Sequence, residues 1–272
     1  MKMRNYVCFE IEGIKHDDFE NIFEFSQDAE CEVTNDAIVK KILIKADISK
    51  ATLYLNDSVK ITNESAPQIV EYLSEYLAKI MISVIKNSSM YSTVLLEPSI
   101  RVSEICFVEI GTLDISDGIG IRDEVALKFI LNNGDSILQK WIQDAETLDY
   151  TNKKDKYDIL FLLLQGTNAV QKYMAMYAYL MGLVKEFYSN KYEAQRQVVQ
   201  YVRDNCARVG IVLIESQSTR PGAKTSDKED QFTALRNKIA HPSIQSEDIS
   251  VHESAINGLA SIICCAIEDL PL

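Results

Sequence analysis

Apolar and polar residues alternate at the start of this chain and later change period. Over residues 6–14, Val7, Phe9 and Ile11 share one parity, the spacing of a strand with a single buried face. Residues 38–46 repeat the pattern, with Ile42 and Ile44 set against Lys41, Leu43 and Lys45. Segments 52–55 and 58–62 flank Asn56-Asp57, which predicts a hairpin. Over residues 68–86 the spacing lengthens to three and four: Ile69, Val70, Leu73, Leu77, Ile80, Met81 and Val84. That is one face of a helix, and Pro67 suits its first turn. Segments 92–96 and 100–110 return to the strand period. Residues 111–122, with Asp114, Asp117, Gly118 and Gly120, read as the loop between two halves.

After that loop the helical period takes over. Residues 123–131 predict a helix stopped by Asn132-Asn133-Gly134, and Asp135 opens another that runs to about residue 148. A long apolar helix follows over 155–188, with Gly166 as its breaking point. Asn190 and Glu193 form a capping-box pattern before a helix over 192–207, and Gly210 is its stop. Residues 216–226 are a polar loop. Ser226 and Glu229 form a second capping box, opening a helix over 227–240. Asp248 or Ser250 opens the last helix, through Ile256, Leu259, Ile263 and Ile267. The expected fold is α+β: an N-terminal mixed α/β domain over residues 1–120, then an all-α C-terminal helical bundle over 121–272.

Composition narrows the function classes. No apolar run reaches the length of a membrane span, and no signal-peptide pattern opens the chain, so a cytoplasmic protein without membrane contact is expected. The six cysteines, Cys8, Cys31, Cys106, Cys206, Cys264 and Cys265, show neither C-x-x-C nor paired Cys/His spacing. They are expected to be free thiols packed as small hydrophobes, with no metal and no cofactor. The net charge of −12 is unevenly spread. Residues 1–135 hold 13 basic and 23 acidic side chains, and residues 136–272 hold 15 and 17. The acidity belongs to the N-terminal half, where Asp17, Asp18, Glu20, Glu24, Asp28, Glu30 and Glu32 read as a solvated face.

The candidate chemistry lies in Leu235-Arg236-Asn237-Lys238-Ile239-Ala240-His241-Pro242. At roughly 100° per residue, Phe232, Leu235 and Ile239 form an apolar stripe, while Thr233, Asn237 and Ala240 lie between the directions of Arg236 and His241. Pro242 disfavours the α conformation at His241, which frees that side chain from the helical direction. A histidine can act as acid or base near neutral pH, and an arginine holds its charge and matches phosphate with two donors. These are the residue types that cleavage of RNA by its own 2′-hydroxyl requires. Arg236, His241 and Asn237 are the candidate catalytic residues, with Lys238 and Thr233 as candidate substrate-binding residues.

The R-N-x-x-x-H arrangement from Arg236 to His241 resembles the signature of the HEPN superfamily (higher eukaryotes and prokaryotes nucleotide-binding). The wording around it is close to the Apea-like HEPN domains, over about residues 135–270. The resemblance implies a metal-independent endoribonuclease that leaves 2′,3′-cyclic phosphate and 5′-hydroxyl ends. It also implies a homodimer with two motifs facing one cleft, since one chain offers one motif histidine. The setting implied is prokaryotic antiviral defence or a toxin–antitoxin pair. The N-terminal domain would then sense a signal or bind a regulatory protein. An HEPN dimer that binds a nucleotide or a partner protein without cutting is the alternative. Trp141, Tyr173, Tyr177 and Tyr179 are expected in the core rather than stacked on bases. Asp230 is expected either to tune His241 or to serve as an acid of the first helical turn.

Overall fold

The computed structural model describes residues 5–16, 23–25, 27–46, 48–88, 93–107, 111–114, 129–131, 134–188, 193–218, 224, 227–241 and 251–271. The chain divides into two compact units, one of residues 1–83 and 98–148, the other of 84–97 and 149–272.

The first unit contains β1 (Tyr6–His16), β2 (Phe23–Phe25), β3 (Ala29–Glu32), β4 (Val39–Ile44) and β5 (Lys50–Leu55), then most of α1 (Ala66–Lys86). It continues with the larger part of β6 (Thr93–Phe107), then β7 (Gly111–Asp114), β8 (Phe129–Leu131) and α2 (Gly134–Thr147). Six strands form one sheet in the order β3-β4-β5-β1-β6-β7. Val7, Phe9 and Ile11 of β1 are buried, as are Ala51, Leu53 and Leu55 of β5, so the period-two pattern does mark the inner face. A register shift between Val39 and Lys41 puts Val39, Ile42 and Ile44 of β4 on that same side. The α1 stripe of Ile69, Leu73, Leu77, Ile80 and Met81 is buried as its spacing requires.

Several expected elements differ in this unit. Residues 58–62 are no strand: Val59 N–H closes a turn on the Asn56 carbonyl, and Thr62 and Ser65 exchange hydrogen bonds that cap α1. The partners of β5 are β1 and β4 instead. Residues 93–96 and 100–107 of the two expected strands belong to one strand, and 92 and 108–110 lie outside the described residues. Residues 111–114 of the expected loop pair with β6; of 123–131, expected as a helix, Phe129–Leu131 pairs in parallel with β2. The remainder of both segments lies outside the described residues. Helix α2, grouped above with the C-terminal half, packs on β3, and its Asp135 carboxylate accepts the Glu30 N–H at 2.9 Å. Of the acidic residues 17–32, Asp28 pairs with Lys45 and Glu30 with Lys41.

The second unit is mainly helical: α3 (Tyr150–Leu164), α4 (Ala169–Val184), α5 (Ala194–Asn205), a 3₁₀ turn at Cys206–Val209, β9 (Glu215–Gln217), β10 (Lys228–Asp230), α6 (Gln231–Ala240) and α7 (Glu253–Asp269). The long apolar segment breaks at Gly166, and Asn168 caps α4 by accepting the Gln171 N–H. Glu193 sits at the N-cap of α5 but makes no side-chain capping bond, and Asn190 lies outside the described residues. Gly210, at φ 69°, ends the 3₁₀ turn in the left-handed conformation that glycine accepts most easily. Helix α7 is buried on every side from Ile256 to Ile267, including Cys264 and Cys265, and contacts α3, α4 and α5. Its expected openings at 248 or 250 lie outside the described residues; His252 occupies the N-cap. A Cβ built on Gly258 of α7 would come within 3.0 Å of the Phe232 ring of α6. The unit is not all-α, because β9 and β10 pair antiparallel. No helix among the described residues is long and apolar enough to cross a membrane.

Candidate functional site

The motif helix begins later than the expected capping box of Ser226 and Glu229 suggests. Residues 228–230 are a strand, and α6 starts at Gln231 with Asp230 as its N-cap. The Asp230 Oδ1 accepts the N–H groups of Phe232 at 2.8 Å and Thr233 at 3.0 Å, satisfying two of the donors that a helix leaves open. Its Oδ2 accepts the Thr233 hydroxyl at 2.6 Å. The Thr233 hydroxyl also meets Tyr177 Oη at 2.8 Å, and Tyr173 Oη donates to the Phe232 carbonyl at 2.8 Å. Burial raises the pKa of both tyrosines and of Asp230, in each case as the largest cause. The start of α6 is therefore tied into α4 by neutral phenols, and Asp230 is a cap rather than a neighbour of His241.

At the other end the site residues separate. Asn237 is 2% exposed. Its Oδ1 accepts from Arg236 Nη1 at 2.9 Å and from Gln195 Nε2 of α5 at 2.5 Å. Its Nδ2 donates to Glu229 Oε1 of β10 at 2.9 Å. Three of the four hydrogen-bonding positions of the amide are thus filled by three different residues. Ser218 also hydrogen-bonds Glu229 Oε1. Asn237 consequently holds the Arg236 side chain against a frame that α5 and β10 supply. His241 is exposed and sits at the C-cap with φ −130° and ψ 64°, off the helical path as Pro242 demands. Its backbone N–H still donates to the Asn237 carbonyl at 2.9 Å. Lys238 is exposed. Thr233 is 1% exposed, its hydroxyl occupied by Tyr177 and Asp230.

The buried side of α6 is correspondingly more polar than the periodicity suggests. Phe232, Thr233 and Asn237 are buried, whereas Leu235 and Ile239 stay partly exposed. Gln195 is not singled out by sequence reasoning, and Tyr177 is expected only as a core residue. The spacing makes Glu229 the closing acid of a capping box, whereas the pairing of β10 with β9 turns it inward. A cavity of about 290 Å³ opens beside this frame, lined in part by Gln195, Arg196, Arg203, Ser218, Lys228 and Glu229. Among the described residues no group of three or more His, Cys, Asp or Glu is placed to hold a metal. Comparison of the chain with protein-family models, curated proteins and solved structures gave no match.

Proposed function

We propose that this protein is a metal-independent endoribonuclease of the HEPN type, with Arg236 and His241 as its reacting pair. The observation that carries the reading is an Arg236 held by Asn237 and an exposed His241 at the C-cap of the same helix. In the reaction, the 2′-hydroxyl of RNA gives its proton to a base and bonds to the adjacent phosphorus. The bond from phosphorus to the 5′-oxygen breaks, and that oxygen takes a proton from an acid. The products are a 2′,3′-cyclic phosphate and a 5′-hydroxyl. His241 supplies the acid or base, and a held guanidinium stabilises the charge that gathers on the phosphoryl oxygens. Asn237 acts as a positioning residue through Arg236, and exposed Lys238 is available to a neighbouring phosphate.

Acid and base together call for two histidines, so the working form is a homodimer that brings two copies of the motif to one cleft. The partly exposed Leu235 and Ile239 on the motif helix suit such a surface. The family resemblance makes a cytoplasmic role in prokaryotic defence, or as the toxin of a toxin–antitoxin pair, the fitting biology. The acidic first unit then serves a regulatory partner. The test is cleavage of mixed cellular RNA in excess EDTA, with His241→Ala beside the native protein and the product ends mapped. Cyclic-phosphate ends that disappear in the variant support the reading. Equal cleavage by both proteins removes it.

A second reading, a dimer that binds a nucleotide without cutting, draws on one observation. The cavity beside Glu229 carries arginine, lysine and glutamine side chains and lies apart from His241. Nucleotide-dependent thermal stabilisation with no RNA cleavage would favour it.

A further inference from the structure

The extended segment that includes β9 has one edge complete and the other open. Ser216 lies opposite Glu229 of β10, and Ser218 N–H donates to the Asp227 carbonyl at 2.8 Å. Beyond β9 the Gln231 side-chain amide takes the next rung of that ladder. Ile214 N–H donates to Gln231 Oε1 at 3.0 Å, and Gln231 Nε2 donates to the Val212 carbonyl at 3.0 Å. Backbone groups alternate along an extended chain, so those of Leu213, Glu215 and Gln217 point the other way. Their backbone N–H and C=O groups find no partner among the described residues, and β9 is exposed throughout. Side chains alternate as well. Ile211 turns toward Gly258 of α7, whereas Val212 is 78% and Ile214 62% exposed.

Strand edges left in water are ordinarily guarded by lysine, proline or a bulge. Residues 211–217 contain neither lysine nor proline, and the pairing of β9 with β10 runs without a break in register. The one charge, Glu215, accepts from Arg203 Nε at 3.0 Å and is held against α5. An edge of this kind is matched by another extended backbone, which supplies N–H and C=O groups at the same spacing. We propose that the open edge of residues 212–217 is a strand-addition site for an extended segment of a partner protein. The added strand bonds to Leu213, Glu215 and Gln217, and its apolar residues, at every second position, cover Val212 and Ile214. The area favours such a segment over a second copy of this chain. Six residues of strand span about 20 Å, a narrow strip beside the roughly 1,200 Å² or more that a stable pair of folded proteins buries. The net charge of −12 also sets two copies against each other.

The test is selection of decapeptides from a random displayed library on the full-length protein. A selected peptide is then titrated against the native chain, Val212→Lys and Ile214→Lys, two positions exposed enough to leave the fold intact. We expect peptides with alternating apolar residues, bound about tenfold or more weakly by each variant. The bound peptide should slow amide hydrogen exchange at Leu213, Glu215 and Gln217. N-methylation of alternate peptide residues should abolish binding in one phase and be tolerated in the other, because only one edge of an added strand meets β9. Failure to select any peptide, equal binding by Ile214→Lys, or N-methyl effects without alternation would each overturn the proposal. Sedimentation of the full-length protein tests the other occupant. A native dimer that Ile214→Lys separates would give the edge to a second copy and remove the partner assignment. None of these measurements uses RNA cleavage, so the edge can bind its strand in a protein that proves not to be a ribonuclease.

Discussion

The Asn237 side-chain oxygen accepts a hydrogen bond from Arg236 Nη1 at 2.9 Å, so the helix fastens its own guanidinium through the next residue. Replacing Asn237 with alanine strips the acceptor from Arg236 and Gln195 and removes a donor from Glu229. We expect a stability loss of about 1–3 kcal/mol, measured by urea denaturation. RNA cleavage should fall further than stability explains, by about a hundredfold, as expected for a misplaced catalytic group. Cleavage at the native rate would show that Arg236 needs no such support.

His241 makes the opposite prediction. It is exposed at the end of α6. His241→Ala should therefore stay within about 0.5 kcal/mol of the native stability while cleavage is lost. A large drop in thermal stability would mean that the residue has a structural task.

Asp230 couples the cap to pH. Burial lifts its carboxyl above the ordinary value of about 3.9, although hydrogen bonds from Thr233 and Phe232 pull the other way. The folded chain thus keeps this proton to higher pH than the unfolded chain. The associated stability is complete below the ordinary value and is lost as pH rises through the folded one. Asp230→Asn keeps an oxygen for the two N–H groups and cannot titrate. Urea midpoints measured upward from pH 4 should decline less steeply in this variant, and an identical slope would assign the pH dependence to other groups. Asp230→Ala, with no cap at all, should cost about 1–2 kcal/mol.

The thiols offer an independent check on the core. Cys206, Cys264 and Cys265 are buried, and Cys8, Cys31 and Cys106 are half-buried. Burial pushes Cys265 up to about 11 and Cys264 well above its ordinary value. With a thiol reagent at pH 8, no more than three of the six should react before unfolding. Prompt reaction at Cys264 or Cys265 would contradict the packing of α7.

Much of the fold is legible because burial writes a period into the chain. The parity of Val7, Phe9 and Ile11 and the helical spacing from Ile69 to Met81 each mark a face that is removed from water. The missed elements owe little to burial. Lys228–Asp230 has no apolar alternation and is a strand only because β9 lies beside it. Residues 58–62 resemble a strand in composition, yet the local hydrogen bonds of Thr62 and Ser65 decide the matter. At the motif, the expected capping box of Ser226 and Glu229 gives way to Asp230, which caps in extended geometry. That shift moves Glu229 off the helix, which is why the partner of Asn237 could not be read from spacing. The release of His241 from the helix was legible, since Pro242 enforces it locally.

Gly258 gives the motif a mechanical dependence on a residue that touches none of its chemistry. A methyl group at position 258 would stand 3.0 Å from the Phe232 ring, in the first turn of the motif helix. A sequence that gained one carbon at position 258 would keep every reacting group, and the ring beneath their helix would have to give way. The seat of the motif helix thus depends on the next helix in the chain, at an atom that is missing.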